Sequence, residues 1–502
     1  MSAASWTRRW EWTNRVQAFR NRISNPHRKP LQQCLAVALL GLLAGCSSWV
    51  ELPDRELQAP NPPEQWLSRI ERLEGQPQGW LQRLQAPKLA ELVEQALQQN
   101  PQLQNTRALL AEAEAQARIA GAERQPSLSA GAEAGRSGTG SNDRSQFSAT
   151  LTFGWELDLW NKLSDSARAA EIDRQALLQD YRSARLSLAA GVAKAWFNSV
   201  EAGQQVGLSQ QLVSVLADRL DVLEEGYQAG LVAALDIHLA RANLAAERSR
   251  LSTRQQNLGS SVRQLELLLG RYPANRQALA QQLPPLPETI PAGLPSELLQ
   301  RRFDIRAAEL RVQSSWARLD RRHKDRFPSF SLTGSYGRSS DQLDQLLRGE
   351  SLVWSLLGGL SQPLLDGGRL EALEAQALAQ AQQREALYRD TVLKAFDEVE
   401  TALQQERQLT RFVEQSQISV VEFQLAEQLA AEQYRAGLVQ YITLLEAQRS
   451  AFEARSSYTQ ALNQQLQNRI DLYLALGGDF ETSTAEVELA VENELTSLQG
   501  TP

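Results

Sequence analysis

Cysteine, histidine and close-set carboxylates carry covalent, metal and proton chemistry, and this chain uses them sparingly. Its two cysteines, Cys34 and Cys46, fall within the first 46 residues, so no internal disulfide or cysteine-based zinc site can form downstream. Beyond Cys46 the only histidines are His238 and His323, the second inside Arg321-Arg322-His323-Lys324, and one histidine among scattered carboxylates is not a metal set. No Gly-x-x-x-x-Gly-Lys-Ser/Thr run cradles a phosphate. Asp366-Gly-Gly-Arg369 reads as a turn leading into a helix. No catalytic residue, metal or cofactor is expected, and an enzyme is not.

The elements that carry the remaining residues begin with a sorting signal. Residues 1–30 hold seven Lys/Arg and one Glu, and residues 31–45 hold no charge, so the formal −7 of the chain becomes −13 once residues 1–45 are removed. An acidic body argues against nucleic acid as a partner. The basic stretch ends at Arg28-Lys29 and is followed by the apolar run Leu35–Ala44, too short for the ~20 residues that span a bilayer. Leu43-Ala44-Gly45-Cys46 resembles a bacterial lipobox, which implies that Cys46 is acylated and begins the mature chain, and Ser47 resembles the sorting residue of outer-membrane lipoproteins. No later apolar run approaches a transmembrane helix, so any membrane crossing must be made by strands closed into a barrel.

The body is written twice. Tyr227-Gln-Ala-Gly-Leu-Val232 recurs as Tyr434-Arg-Ala-Gly-Leu-Val439, and Leu267-Leu-Leu-Gly270 as Leu474-Ala-Leu-Gly477, both 207 residues on. Gln125-Pro-Ser-Leu-Ser129 pairs with Phe327-Pro-Ser-Phe-Ser331 at an offset of 202. The expected organisation is an N-terminal extension and signal (1–45), an extended linker (46–87), a first repeat (88–270), a proline-rich linker (271–295), a second repeat (296–477) and an acidic tail (478–502). Each repeat reads as helix, two strands, very long helix, turn, long helix. Strands are expected at 127–134 and 146–159 and again at 329–338 and 351–365, with the Gly/Ser-rich stretch 135–145 as a turn. From Phe147 to Leu157 apolar and polar residues alternate. That suits a barrel strand between lipid and water, or equally a buried hairpin of a soluble sheet. The helices decide between them. Arg369–Ala436 contains neither Gly nor Pro, on the order of 100 Å of helix. Such a rod belongs in a tubular or coiled assembly. Four strands cannot close a barrel, which asks for an oligomer, with a trimer as the smallest sensible one.

In these features the chain resembles the TolC-type outer-membrane efflux channels, specifically their lipoprotein branch. The similarity is most specific at Pro291-Ala-Gly-Leu-Pro-Ser-Glu-Leu-Leu-Gln-Arg-Arg-Phe-Asp-Ile-Arg-Ala-Ala-Glu309, where Phe303 replaces a usual Pro. It continues at Trp155-Glu-Leu-Asp-Leu-Trp160 and Pro363-Leu-Leu-Asp-Gly-Gly-Arg369. The resemblance implies an α+β membrane protein. Long helices would form a periplasmic tunnel, and four strands per protomer would contribute to a 12-stranded trimeric barrel. It implies a passive outer-membrane conduit, working with a periplasmic adaptor and an inner-membrane pump of the resistance-nodulation-division class. It also implies that Gly230, Leu231, Val232, Gly437, Leu438 and Val439 form the tip that meets the adaptor. Asp236, Tyr434, Thr443 and Glu446 match the gate, with Thr443 standing where relatives have an Asp. Threefold rings of Asp236 and Glu446 would favour cations.

Two alternatives stay open from the residues. One is the exit duct of an ABC-driven secretion system built on the same fold. The other is a lipid-tethered periplasmic coiled-coil scaffold without a pore, against which the alternation of 147–157 argues.

Overall fold

The structure, a computed structural model, describes residues 57, 59–68, 81, 84, 86–140, 142–285 and 295–478. Cys46 and residues 479–502 lie outside the described residues. The elements run α1 (Pro87–Gln99), α2 (Pro101–Ala122), β1 (Ser127–Thr139), β2 (Asn142–Leu157), α3 (Lys162–Gln228) and α4 (Ala234–Leu268). The second set is α5 (Pro295–Arg301), α6 (Phe303–Lys324), β3 (Ser329–Ser340), β4 (Leu352–Ser361), α7 (Arg369–Arg435) and α8 (Tyr441–Ala475). The duplication is metrical. α2 and α6 each have 22 residues, α3 and α7 each have 67, and α4 and α8 each have 35. At about 1.5 Å per residue, α3 and α7 are each about 100 Å long.

A long helix needs a partner along its whole length, and each 67-residue helix gets one by stacking two shorter ones. Asn100 makes the joint in the first repeat. Its Oδ1 accepts the N–H of Gln102 and Leu103, capping α2, while its Nδ2 donates to the Leu268 carbonyl at the end of α4 (2.9 Å). Arg302 occupies the same place in the second repeat, before α6. It donates to the Ala475 carbonyl at the end of α8 (3.1 Å) and pairs with Asp304 and Glu398. Burial pushes the Arg302 guanidinium down, and the two carboxylates more than reverse that. The joints are tight. Gly270 has φ +72°, and a Cβ there would lie 2.3 Å from the Gln99 carbonyl oxygen.

α3 is the spine shared by the two repeats. Its buried face is rich in small residues, with Ala189, Ala190, Ala193 and Ala195 around Trp196, Phe197 and Val200, so neighbouring helices approach closely. α8 packs on α3 through a polar seam. Ser456 Oγ donates to Gln205 Oε1 (2.6 Å), Asn463 Nδ2 to Asn198 Oδ1 (2.8 Å), and Lys194 pairs with Asp471. Between α7 and α8, buried Glu406 accepts from Gln465, Asn468 and Arg469. Breaking one member of such a buried set costs more than the set contributes, so its use here is to fix helix register.

The four strands form one antiparallel sheet in the order β1-β2-β3-β4, so β2–β3 pairing joins the repeats. β1 continues to Thr139, paired with Asn142, through the stretch expected as a turn from Gly135. Gly and Ser signal turns when read locally, but ladder pairing uses only backbone groups and the partner strand was already committed. β2 accordingly starts at Asn142 instead of 146. β4 ends at Ser361, before Pro363, which has no N–H to give a ladder. Carboxylates turn both strands into helices. Asp158 accepts the N–H of Leu163 and Ser164, and Asp366 those of Gly368 and Leu370.

Carboxylates also hold the segments that run outside the helices. Buried Glu266 accepts the N–H of Asn275 (2.7 Å) and Arg276 (2.8 Å), tying the linker to α4. Burial pushes the Glu266 carboxyl up, and these N–H donors together with Arg271 bring it below its usual 4.5. Glu400 on α7 does the same for the Leu67 and Ser68 N–H at 2.7 and 3.0 Å.

Gly270→Ala should lower the thermal unfolding temperature more than Gly230→Ala. The latter meets only the left-handed penalty of about 1–2 kcal/mol, in open space, and an equal loss would mean the joint is not tight. A group whose folded pKa is depressed contributes stability above its unfolded pKa and loses it as pH falls. The gap in unfolding temperature between wild type and Glu266→Gln should therefore be present at neutral pH, worth about 1.5–3 kcal/mol. It should close as the pH falls below 4.5.

Candidate functional site

Two places can carry function: the sheet, and the turns at the far ends of the long helices. In the sheet the register sorts side chains by chemistry. Leu128, Phe153, Gly334 and Leu356 share one cross-strand row, and Ala130, Leu151, Tyr336 and Trp354 the next. Continued along the strands, this face carries Trp155, Leu332, Phe330 and Leu360. The opposite face carries Ser129, Thr152, Ser335 and Ser355 in one row, with the Ser335 and Ser355 hydroxyls 2.8 Å apart. Val353 and Leu357 are exceptions on that polar face. The apolar face is uncovered, with Trp354 at 73% exposure. A wide exposed apolar face with aromatics on it, backed by hydroxyls and glycines, is a sheet with lipid on one side and water on the other. Among the described residues no helix is long and apolar enough to cross a membrane.

The turns close both helical hairpins in the same way. After α3, the N–H of Leu231 bonds to the Gly226 carbonyl (2.8 Å) and that of Gly230 to Tyr227 (2.9 Å), with Gly230 at φ +74°. After α7, Leu438 bonds to Gln433 and Gly437 to Tyr434, with Gly437 at φ +71°. Paired bonds around a left-handed glycine are the Schellman ending of a helix. They leave Leu231 (82%) and Leu438 (75%) exposed at the tips, while Val232 and Val439 are half-buried. Val232 leans on the helix, so a Cβ at Gly226 would lie 2.7 Å from its Cγ2.

Near these tips the two hairpins meet. Tyr441, at the start of α8, is buried with Leu216, Leu223, Ala240, Leu244 and Leu445, and Tyr434 packs against that cluster. The Tyr434 and Tyr441 rings lie edge to face at 6.1 Å, and the Arg219 guanidinium sits 5.6 Å from the Tyr434 ring centre. Burial pushes the Tyr441 hydroxyl up. Arg219 pulls it down, and Tyr434 and Asp236 push it up further. Of the expected set, Tyr434 packs against this cluster, and Asp236 is half-buried in the first turn of α4. Thr443 and Glu446 are exposed on α8.

Tyr441 and Arg219 were missed from sequence. The available signal was a break in the repeat: at an offset of 207 their counterparts are Ala234 and Ala426. Asp236 and Thr443 are likewise counterparts. His238 is exposed, and His323 Nδ1 lies 2.8 Å from Glu374. Among the described residues no group of three His, Cys, Asp or Glu could hold a metal ion.

A sheet with one lipid face, carried at one end of paired 100 Å helices, defines a subunit of an outer-membrane channel with a helical extension. The chain belongs to the outer membrane efflux protein family, whose sequence profile matches residues 92–271 and 294–478. Over 476 residues it is 30% identical to the pyoverdine export outer membrane protein OpmQ of Pseudomonas putida, covering 91% of this chain and 99% of that one. It is 29% identical to the cation efflux system protein CusC of Escherichia coli, covering 90% and 99%. Among solved structures, a membrane protein from Pseudomonas aeruginosa superposes with a TM-score of 0.78 at 30% identity, covering 85% of this chain and 99% of that chain. The protein is an outer-membrane efflux channel.

The buried Tyr441 hydroxyl has no hydrogen-bond partner. Tyr441→Phe should therefore leave thermal stability unchanged or raised by about 1 kcal/mol, while Tyr441→Ala should cost about 3–5 kcal/mol. A large loss in the Phe variant would place a partner on that hydroxyl.

Proposed function

We propose that three copies of this chain form a closed, passive conduit, a 12-stranded barrel continued by a helical tube. It takes substrates from an inner-membrane pump and a periplasmic adaptor out of the cell. The observation that carries this reading is the sheet, whose lipid-facing surface ends, among the described residues, at two unpaired edges, β1 and β4. Backbone groups in lipid must be paired, and only another copy can supply the missing strands. Two copies would give about eight strands, which leaves room only for side chains, whereas three open a lumen.

The helices support the same closure. Inside the chain, α8 of the second repeat packs on α3 of the first. Among the described residues the equivalent faces, on α4 and α7, have no such partner. Gln205 and Ser456 are buried in the internal seam, while their counterparts Phe412 and Ser249 are exposed. A ring that repeats the internal seam between copies covers both.

The remaining assignments follow from that arrangement. Cys46 carries the lipid that tethers the chain. Leu231 and Leu438 at the tips, with Gly230, Val232, Gly437 and Val439, form the apolar contacts for adaptor hairpins. Asp236, Tyr434, Thr443 and Glu446 line the constriction. The pump is of the resistance-nodulation-division class, in line with the lipobox and with relatives named for pyoverdine export and cation efflux. No residue set for catalysis accompanies these features, and the energy comes from the pump.

Planar bilayers test both the pore and its gate. The purified chain should give discrete, cation-favouring conductance steps. In Asp236→Ala/Glu446→Ala the potassium-to-chloride permeability ratio should fall toward unity and block by divalent cations should weaken. Absence of conductance contradicts the conduit. Unchanged selectivity contradicts the gate alone.

A further inference from the structure

The leader of this chain, the segment that precedes α1, touches α7 at residues 66–68. Trp66 is buried edge-on against Phe396, with ring centres 6.2 Å apart, and Glu400 accepts the N–H of the next two residues. The backbone around Leu67 is therefore held, yet the Leu67 side chain is 86% exposed. Leu393, one turn before Phe396 on the same helix face, is exposed as well.

The repeat says what belongs on that face. At the offset of 207, Leu393, Phe396 and Glu400 correspond to Leu186, Ala189 and Ala193 of α3. Ala189 and Ala193 are buried. Leu186 meets the turn that follows α8, since a Cβ at Gly478 would lie 2.6 Å from its Cδ1. In the internal seam, then, this helix face meets the turn after α8 at Leu186 and Gly478. The counterpart of that turn is Gly270-Arg271, after α4. In a ring of copies it is therefore the Gly270-Arg271 turn of the next copy that faces Leu393, Phe396 and Glu400, where the leader already sits.

The differences between the repeats fit an interposed strand of chain. Two alanines allow direct approach in the internal seam. On α7 a ring replaces one, giving Trp66 a surface, and a carboxylate replaces the other, giving two backbone N–H groups an acceptor. Across the seam, Leu267 and Tyr272 flank the Gly270-Arg271 turn and are 59% and 84% exposed. The counterpart of Leu267, Leu474, is half-buried in the internal seam.

We propose that residues 66–68 are a strap between copies. Clamped by Phe396 and Glu400 of their own chain, they fill the seam and present Leu67 to Leu267 and Tyr272 of a second copy. This rests on the ring proposed above, and the experiment separates the two. Full-length Leu67→Cys/Tyr272→Cys is oxidised in outer membranes and run on non-reducing denaturing gels, with native mass spectrometry counting copies in the unoxidised protein. The expected result is covalent dimer and trimer in the double variant and not in either single variant. Adding Glu400→Ala should cut the cross-linked fraction at least about tenfold. A trimer by mass that does not cross-link overturns the strap and leaves the ring standing. A chain that is monomeric by mass overturns both. Cross-linking that survives Glu400→Ala undiminished overturns the clamp.

Discussion

The constraint on which the rest depends is the unpaired edge of a sheet in lipid. β1 and β4 each offer a row of N–H and C=O groups with no neighbour among the described residues, on a sheet whose apolar face allows no water to satisfy them. In a soluble protein such an edge is blunted by charge, a bulge or a covering helix. Here the strands are 10–16 residues long, and the surface that the β4 edge exposes is Leu, Val and Trp. The fold is incomplete by itself, and its duplication supplies the rule for completing it.

That rule is visible in the helices. Each 67-residue helix is paired along its length by two shorter ones joined end to end, through Asn100 in one repeat and Arg302 in the other. One seam, α3 against α8, is already made within the chain, and polar bonds set its register. The equivalent seam remains open. Small residues on the closed seam and larger ones on the open face are what quasi-symmetry looks like when one interface is internal and the other lies between chains. The tips show the same departure, because Tyr441 and Arg219 have alanines as counterparts, so only one hairpin pair carries the tyrosine cluster.

Much of this was legible in sequence because its signals are long-range and repetitive. Sixty-eight residues without Gly or Pro leave little choice but a rod, and Gly230 and Gly437 mark its reversals by their fit to left-handed backbone. Alternation placed β2 but left its setting undecided until the length of the helices was weighed. Strand ends were less legible. Residues 135–139 carry Gly, Arg and Ser, which read as turn, and become strand because β2 pairs with them. Of the expected gate residues, Tyr434 packs at Tyr441, Asp236 is half-buried, and Thr443 and Glu446 are exposed. Contacts between helices distant in sequence carry no local pattern, so the carboxylate clamps Glu266 and Glu400 were also invisible until the fold was known.

A closed conduit requires β4 of one copy to pair with β1 of another. Electron cryo-microscopy of the full chain in lipid nanodiscs tests this most directly. It should show threefold symmetry with twelve continuous strands around a water-filled lumen and every edge paired. Any other number of copies, or a sheet left open in lipid, would contradict it.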